Sequence, residues 1–440
     1  MPPRSVDGSA PDLPLVQFIP ADPVESAGVS ARPPLSIVYL SASAAVGGAE
    51  RALLDLLASL RSAEPEWRLA VVAPEEGPLL AGVRALGVDA DVLAFPAALA
   101  GLGDAGASAA GGRGGALSLL LGMLRAGPGA ARYVSRLRGL LAELRPDVVH
   151  TNGFKMHLLG ARAAPAGARL VWHLHDFVST RRAMAGLLRR SAGRVDGVIA
   201  VSRSVAEDAA AIVGPDVPLR TVYNAVDLHR FRQIGPVMDL DAAAGLPPAP
   251  AGTIRVGLVA TMGRWKGHGV FLRAIAALPG ELPVRAYVVG GGIYRTAGSE
   301  VSAEDLRAQA EALGIADRVG FAGFADDAAS AIRALDVVVH ASTQPEPFGL
   351  VIAEAMACGH AVVASAAGGA GEIVTPGHDA LAVQPGDVEG MSEAIRQLAL
   401  DPVLRDRLGR AGRETAVRRF DRARLAAEVA PLYRSLTSSR

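Results

Sequence analysis

Thirteen short apolar runs, most followed by a loop of small or polar residues and then a helical pattern, constrain this 440-residue chain more than any other feature. One set falls at 35–41, 67–73, 88–93, 147–151, 170–173, 197–201 and 220–223. The other falls at 254–260, 284–289, 319–321, 336–341, 361–364 and 381–383. Continuous Val/Ile/Leu runs of this length suit strands buried on both faces, the condition of a parallel sheet covered by helices. The alternation therefore predicts an α/β chain with doubly wound parallel sheets. A Pro/Ala-rich stretch at 232–253 separates the two sets and reads as a linker. The expected organisation is two Rossmann-like domains, 35–231 and 254–419, with a final amphipathic segment over 420–440. Residues 1–34, rich in Pro, Ser, Ala and Asp without periodicity, read as a disordered tail.

Several function classes are disfavoured. The net charge is zero, which argues against nucleic acid as the main partner. No apolar run approaches the roughly 18 residues that span a bilayer, and the first residues lack a signal-peptide pattern. A single cysteine, Cys358, excludes a disulfide framework and suits a cytoplasmic setting. The loop at Gly47–Gly48 follows the first strand but is not G-x-G-x-x-G, and no acidic residue closes a plausible second strand. Dinucleotide binding is disfavoured on that ground. Asp89-Ala90-Asp91 and Asp239-Leu240-Asp241 match D-x-D, but neither lies at a predicted strand end. Both read as surface acids, and no metal is expected.

In open parallel sheets, ligands bind beyond the carboxyl ends of the strands. The unusual residues at those ends are Gly47–Gly48, Asn152 with Lys155, His175–Asp176 and Ser202 in the first half. In the second they are Arg264 with Lys266, Gly290–Gly292, Glu346–Gly349, and Gly368–Gly369 with Glu372. Two facing rims would make one cleft. The stretch 344–359 is the richest. Prolines flank Glu346, Gly349 allows close backbone approach, and a helix expected from Leu350 to Gly359 begins with free N–H groups suited to an anion. Glu354 follows one turn in. Arg264 and Lys266 add cations fit for a diphosphate. Of 44 basic residues only Lys155 and Lys266 are lysines, so a compact ammonium has a reason to be kept at either.

The segment EPFGLVIAE resembles the E-x7-E signature of family 4 retaining glycosyltransferases of the GT-B fold. GGAERALLDL resembles that family's first glycine-rich loop. Asn224-Ala225-Val226-Asp227 resembles its N-G-V-D segment with Ala for Gly, and Gly368–Gly369 its Gly-Gly loop. Asp379-Ala380 departs from the family, which usually has Gly at the second position. The resemblance implies that Glu346 contacts the donor sugar and Glu354 the ribose. Backbone N–H groups of Gly349 and Leu350 would bind the diphosphate, with Gly47 and Gly48 against diphosphate or acceptor. His175 would stand near the donor sugar, Gly290 on the donor-binding rim, and Lys266 and Arg264 at the leaving group. The last helix would cross back onto the first domain.

The implied activity is retaining transfer of a sugar from a UDP- or GDP-linked donor to a hydroxyl of a glycan, lipid-linked or small-molecule acceptor. Neither cofactor nor metal is implied. Rival readings are an NDP-sugar epimerase, a phosphorylase-like enzyme with a pyridoxal-phosphate lysine, and a non-catalytic nucleotide-sugar-binding protein. The stretch 96–132, with LSLLLGML at 117–124, and five arginines within 181–194 allow a peripheral contact with the inner face of a membrane. A core-facing helix and a solvated helix are the competing readings of those two stretches.

Overall fold

A computed structural model describes residues 34–100, 113–291 and 301–438. Of the expected tail only Pro34 falls within that range, and Gly292 and residues 101–112 fall outside it. The first sheet has seven strands: β1 (Ser36–Ser41), β2 (Arg68–Ala73), β3 (Asp89–Val92), β4 (Val148–Asn152), β5 (Arg169–Leu174), β6 (Gly197–Ala200) and β7 (Leu219–Thr221). The second has six: β8 (Ile254–Val259), β9 (Val284–Val289), β10 (Val319–Gly323), β11 (Val337–His340), β12 (Ala361–Ser365) and β13 (Leu381–Val383). Every pairing is parallel. The strand ends lie within two residues of the sequence expectation.

Strand order decides where a ligand can enter. The orders are β3-β2-β1-β4-β5-β6-β7 and β10-β9-β8-β11-β12-β13. In each sheet the chain starts in the middle, winds out to one edge, then returns to wind out to the other. The loops after β1 and β4, and after β8 and β11, therefore diverge and leave a crevice between them. β1 is buried along its whole length. Its alternate residues enter two different cores: Val38 and Leu40 on one face, Ile37 and Tyr39 on the other, as the two-residue period of a strand requires.

The chain leaves the first domain through Asn224–Asp227 and returns beside it. Val226 N donates to Phe420 O at 2.7 Å, and Arg422 N donates to Val226 O at 3.2 Å. Arg422 reaches Asp227 at 2.8 Å. Ala225, where the family pattern has Gly, is 1% exposed, and Arg145 is the one non-glycine with positive φ among the described residues. Ala225 and Ala380 therefore occupy ordinary backbone, and neither position needs the missing glycine. The last helix, Arg424–Ser438, lies on the first, Gly48–Ala63. It buries Leu425, Val429 and Tyr433 against the core of the first sheet. Ser59 Oγ accepts from Ala426 N at 2.9 Å, and Arg434 pairs with Glu64 at 2.6 Å.

One expectation is corrected in the connecting segment. Asp239 does cap a short helix, Leu240–Ala243, but Asp241 is no surface acid. It is 4% exposed and accepts from Arg255 at 3.0 Å, Arg285 at 2.7 Å, the Ala249 N–H at 2.9 Å and the Tyr287 hydroxyl. Strands β8 and β9 supply the three side-chain donors, so the segment's second half is fastened to the second sheet. Asp89 is exposed and Asp91 half-buried on edge strand β3.

Burial alone would raise the Asp241 carboxyl. Hydrogen bonds from Tyr287, Ala249 and the two arginines outweigh it and hold the group well below the usual range. The stability it provides is present above its ordinary value of 3.8 and is lost as pH falls toward the folded-state value. Asp241→Asn leaves Arg285 without its charged partner and should cost about 3 kcal/mol, read as a lower urea midpoint at unchanged slope.

Candidate active site

The loops flanking the second crevice carry a pair of opposite charges, Lys266 and Glu346. After β8 the chain makes one turn, Arg264–Lys266, closed by Gly267. Gly267 has φ 76°, and a Cβ there would stand 1.8 Å from the Ala341 carbonyl oxygen, so no other residue fits. Thr343 N donates to Trp265 O at 2.8 Å. The turn is thus pressed against the end of β11. From it Lys266 Nζ donates to both oxygens of Glu346, at 2.8 and 2.9 Å. Ser342 Oγ donates to Glu346 Oε2 at 2.7 Å, and His340 Nε2 lies 3.4 Å from the same oxygen.

Glu346 is also fixed through its backbone. Its N–H donates to Ala367 O at 3.1 Å, and Gly369 N donates to its carbonyl at 2.7 Å. Burial pushes the Glu346 carboxyl up. Lys266, then His340, outweigh that and hold it well below the usual carboxylate range. The sequence suggested separate tasks for Lys266 and Glu346; the structure joins them as a half-buried ion pair in which the ammonium reaches both carboxylate oxygens. Arg264 lies exposed on the same turn.

The helix Leu350–Cys358 starts after Gly349 (φ 99°) and stops at Gly359 (φ 81°), both left-handed. Ile352 N already bonds back to Gly349 O, at 3.0 Å. The N–H groups of Leu350 and Val351 precede the first intrahelical α-type bonds, the usual state of a helix N-terminus. Across the cleft stands Gly48, where a Cβ would lie 3.9 Å from Leu350 Cδ1. The structure therefore brings Gly47–Gly48 of the first domain to Gly349–Leu350 of the second. Gly47 N donates to Glu50 Oε2 at 3.1 Å, which fixes the start of the first helix.

His175 follows β5 and is bonded through Nε2 to Asn152 Oδ1 at 2.6 Å. Asn152 Nδ2 donates to Ala49 O at 3.4 Å, which makes Oδ1 the acceptor. His175 thus carries its proton on Nε2. Its Nδ1 is a buried lone pair without a hydrogen-bond partner among the described residues. Burial lowers its pKa to about 3, so the ring is neutral. His173, 4.1 Å away between ring centroids, is a core residue of β5.

Glu354 lies one turn into its helix and half-buried. Burial pushes its carboxyl up to about 7, opposed by Arg230 and Arg51 and reinforced by Asp55. Asp55, on the first helix, is raised by burial to about 7 as well. Gly290 has φ 147°, and a Cβ would stand 1.8 Å from Ala260 O. It lines a cavity of about 320 Å³ with Met262, Gly291, Arg307, Phe321 and Phe324.

The other notable cations divide. Lys155 Nζ donates to Leu99 O at 3.1 Å and lies over the Phe95 ring, so this lysine serves the fold. Arg181 pairs with Asp176 at 2.8 Å and lies over Phe154, whereas Arg182, Arg189, Arg190 and Arg194 are exposed. No helix among the described residues is long and apolar enough to cross a membrane. Sequence reasoning missed His340 and Ser342 as partners of Glu346. Their signal was position, since both are polar residues where a buried strand ends.

A carboxyl raised on folding weakens the fold as pH climbs from its ordinary value toward the raised one. Wild-type stability should therefore decline between about pH 4.5 and 7 in part through Glu354. Glu354→Gln should match wild type near pH 4 and exceed it by on the order of 1 kcal/mol at pH 8. Calorimetry at both pH values checks this. A variant less stable than wild type at pH 8 would mean that Glu354 is a stabilising ionised partner.

Two family descriptions match the chain. "Glycosyltransferase Family 4" matches residues 46–230 and "Glycosyl transferases group 1" matches residues 247–415. The lipopolysaccharide core biosynthesis glycosyltransferase LpsE of Rhizobium meliloti is 36% identical over 198 residues, 44% of this chain and 53% of that protein. This chain thus spans about half of that relative's length. The D-inositol 3-phosphate glycosyltransferase of Xylanimonas cellulosilytica is 32% identical over 318 residues, 67% of this chain and 73% of that protein. Among solved structures, Anabaena HepE in complex with UDP-glucose superposes with TM-score 0.74 at 26% identity, over 91% of this chain and 100% of that one.

Proposed function

We propose a reaction for a chain that belongs to the family 4 glycosyltransferases of the GT-B fold: retaining transfer of a sugar from a nucleotide-diphosphate donor to an acceptor hydroxyl. The observation that carries this reading is the Lys266–Glu346 pair at the mouth of the second crevice, beside a helix N-terminus and opposite Gly48. An ammonium already neutralised by a carboxylate can exchange that partner for a phosphate oxygen without a bare charge being left buried. When the diphosphate takes up Lys266, Glu346 is released to accept hydrogen bonds from the donor sugar.

The remaining residues take roles consistent with their chemistry. Backbone N–H groups at Gly349 and Leu350 receive the diphosphate, aided by Arg264, with Gly47 and Gly48 closing over it. Glu354 accepts from the ribose hydroxyls. His175 offers its Nδ1 lone pair to a sugar hydroxyl. The cavity beside Gly290 suits the nucleobase, with Phe321 and Phe324 as aromatic surface.

In the transfer step the bond from the anomeric carbon to the diphosphate oxygen breaks and negative charge grows on that oxygen. Lys266 and the helix N–H groups stabilise it. The acceptor hydroxyl attacks from the face the leaving group vacates, and its proton passes to the departing diphosphate oxygen. No metal is assigned a part. The relatives support a UDP- or GDP-linked donor: HepE is solved with UDP-glucose, and a mannosyltransferase named as GDP-mannose-dependent is 32% identical. Relatives named for lipopolysaccharide core and phosphatidyl-inositol chemistry support a glycan or lipid-linked acceptor, met at a membrane surface.

The direct test is transfer from a panel of UDP- and GDP-sugars in excess EDTA, with NMR of the first product. Turnover with a retained anomer is expected. An inverted anomer, or activity restored only by Mg²⁺ or Mn²⁺, overturns the reading. Lys266→Ala should reduce turnover roughly ten- to hundredfold, the value of a charge-assisted hydrogen bond that strengthens as the bond breaks. It should also lower the melting temperature, because Glu346 is left unpaired. Lys266→Arg should recover the melting temperature more fully than the turnover, since a planar fork does not reproduce a point charge.

A further inference from the structure

We propose that Glu372 is a positioning residue that fixes the angle between the two domains and so keeps Glu346 in register with the first-domain rim. The proposal rests on the reading of Glu346 given above. Glu372 lies in a short helix of the second domain, Gly369–Ile373, yet the donors to its carboxylate come from the first. The helix Arg203–Val213 follows β6, and its N-cap Ser202 accepts from Val205 N through Oγ. The two N–H groups before that are taken by Glu372, Arg203 N at 2.9 Å and Ser204 N at 2.8 Å. Ser204 Oγ donates at 2.6 Å, the Tyr223 hydroxyl at 2.9 Å and Arg203 Nε at 3.3 Å.

One carboxylate thus caps a helix of the other domain with both of its oxygens. The polarity is the favourable one, an anion at a helix N-terminus. The Glu372 side chain is 9% exposed. Burial pushes it up, but the Ser204 and Arg203 hydrogen bonds outweigh this and keep it below the ordinary value, so it stays ionised at neutral pH.

The grip is mechanically continuous with the active site. Three residues before Glu372, Gly369 donates to the Glu346 carbonyl. A Cβ on Gly369 would stand 2.0 Å from Pro347 O and 2.9 Å from Ser202 Cβ, so the loop is wedged between Glu346's own loop and the capped helix. Arg419, just before the return crossover, donates to the carbonyls of Glu372 and Ile373 at 2.7 and 3.0 Å. If the domains swing apart, Arg203 N, Ser204 N, Ser204 Oγ and Tyr223 OH lose their acceptor together. Glu372 touches none of the groups assigned to the donor, so its effect should fall on alignment and not on donor affinity.

The experiment uses the full chain with Glu372→Ala, Glu372→Asp and the partner-side double variant Ser204→Ala/Tyr223→Phe. In Glu372→Ala, amide hydrogen exchange at Arg203 and Ser204 should rise about tenfold or more. The radius of gyration from solution scattering should increase. Transfer kcat should fall roughly tenfold, while donor KM and UDP or GDP affinity by titration stay within about threefold. Glu372→Asp should recover part of each effect, and the double variant should show them in smaller measure.

Unchanged exchange and scattering in Glu372→Ala overturn the proposal. So does a loss of transfer without either change, which would place Glu372 in the chemistry. If Glu372→Ala does not fold, the double variant decides on the same readouts. If wild type turns over no nucleotide sugar, the transfer reading fails, and exchange and scattering still decide the domain contact.

Discussion

The site depends on one close approach, that of Gly267 to the carbonyl of Ala341. Outward winding from a central strand makes β8 and β11 neighbours whose loops leave in opposite directions. Such loops normally part and leave an open crevice. Here the turn after β8 folds back over the end of β11, and only a residue without Cβ permits it. That contact carries Lys266 to Glu346, its partner 80 residues on. Each charge, half-buried there, gains from having the other as its partner. The pair is supported by Ser342 and His340, and on the proposed reading it divides its two charges between a diphosphate and a sugar.

The frame around the site is closely packed. Tyr223 of the first domain, Phe348 of the signature loop and Phe420 of the crossover meet tilted or edge-on, with ring centroids 5.7 to 6.3 Å apart. Arg422 stands between Asp55 at 3.6 Å and Asp227 at 2.8 Å. These contacts couple the crossover to both domains. Against that frame, Glu354 and Asp55 are carboxyls pushed up to about 7, which costs stability at neutral pH. Groups kept in unfavourable states on a well-packed scaffold are what a binding site asks for and a core does not.

Much of this was legible in the chain. Parallel strands announce themselves because both faces are buried, and the loops after them stand out by their glycines and charges. Glu346, Gly349 and Glu354 were found that way, and so were Lys266 and His175 as rim residues. What was hidden is long-range. That Lys266 binds Glu346 follows from strand order, which no local pattern encodes. Asp241 looked like a surface acid because its partners, Arg255, Arg285 and Tyr287, sit on strands whose register brings them there. Lys155 and Lys266 looked alike as rare lysines, yet one holds a backbone carbonyl and the other the Glu346 carboxylate. Ala225 and Ala380 looked like departures, and the backbone explains them, since neither position requires a positive φ.

The protonation states also bear on where the acceptor's proton goes in the proposed reaction. His175 stands at the end of β5, but burial leaves its pKa at about 3, so it cannot take up a second proton at neutral pH. His150, buried in β4, and His157, buried in the helix that follows it, are lowered too. Glu346, once Lys266 has turned to the diphosphate, is engaged on the proposed reading with the donor sugar's hydroxyls. Glu354 has a suitable pKa, but on the proposed reading its oxygens are engaged with ribose. A general base matched to pH 7 is therefore lacking among the side chains assigned to the sugar. The group whose basicity rises during the step is the departing phosphate oxygen. It gains charge as the glycosidic bond breaks, on the face the acceptor approaches. On that reading the diphosphate, held by Lys266, Arg264 and backbone dipoles, keeps an oxygen basic enough to take the proton.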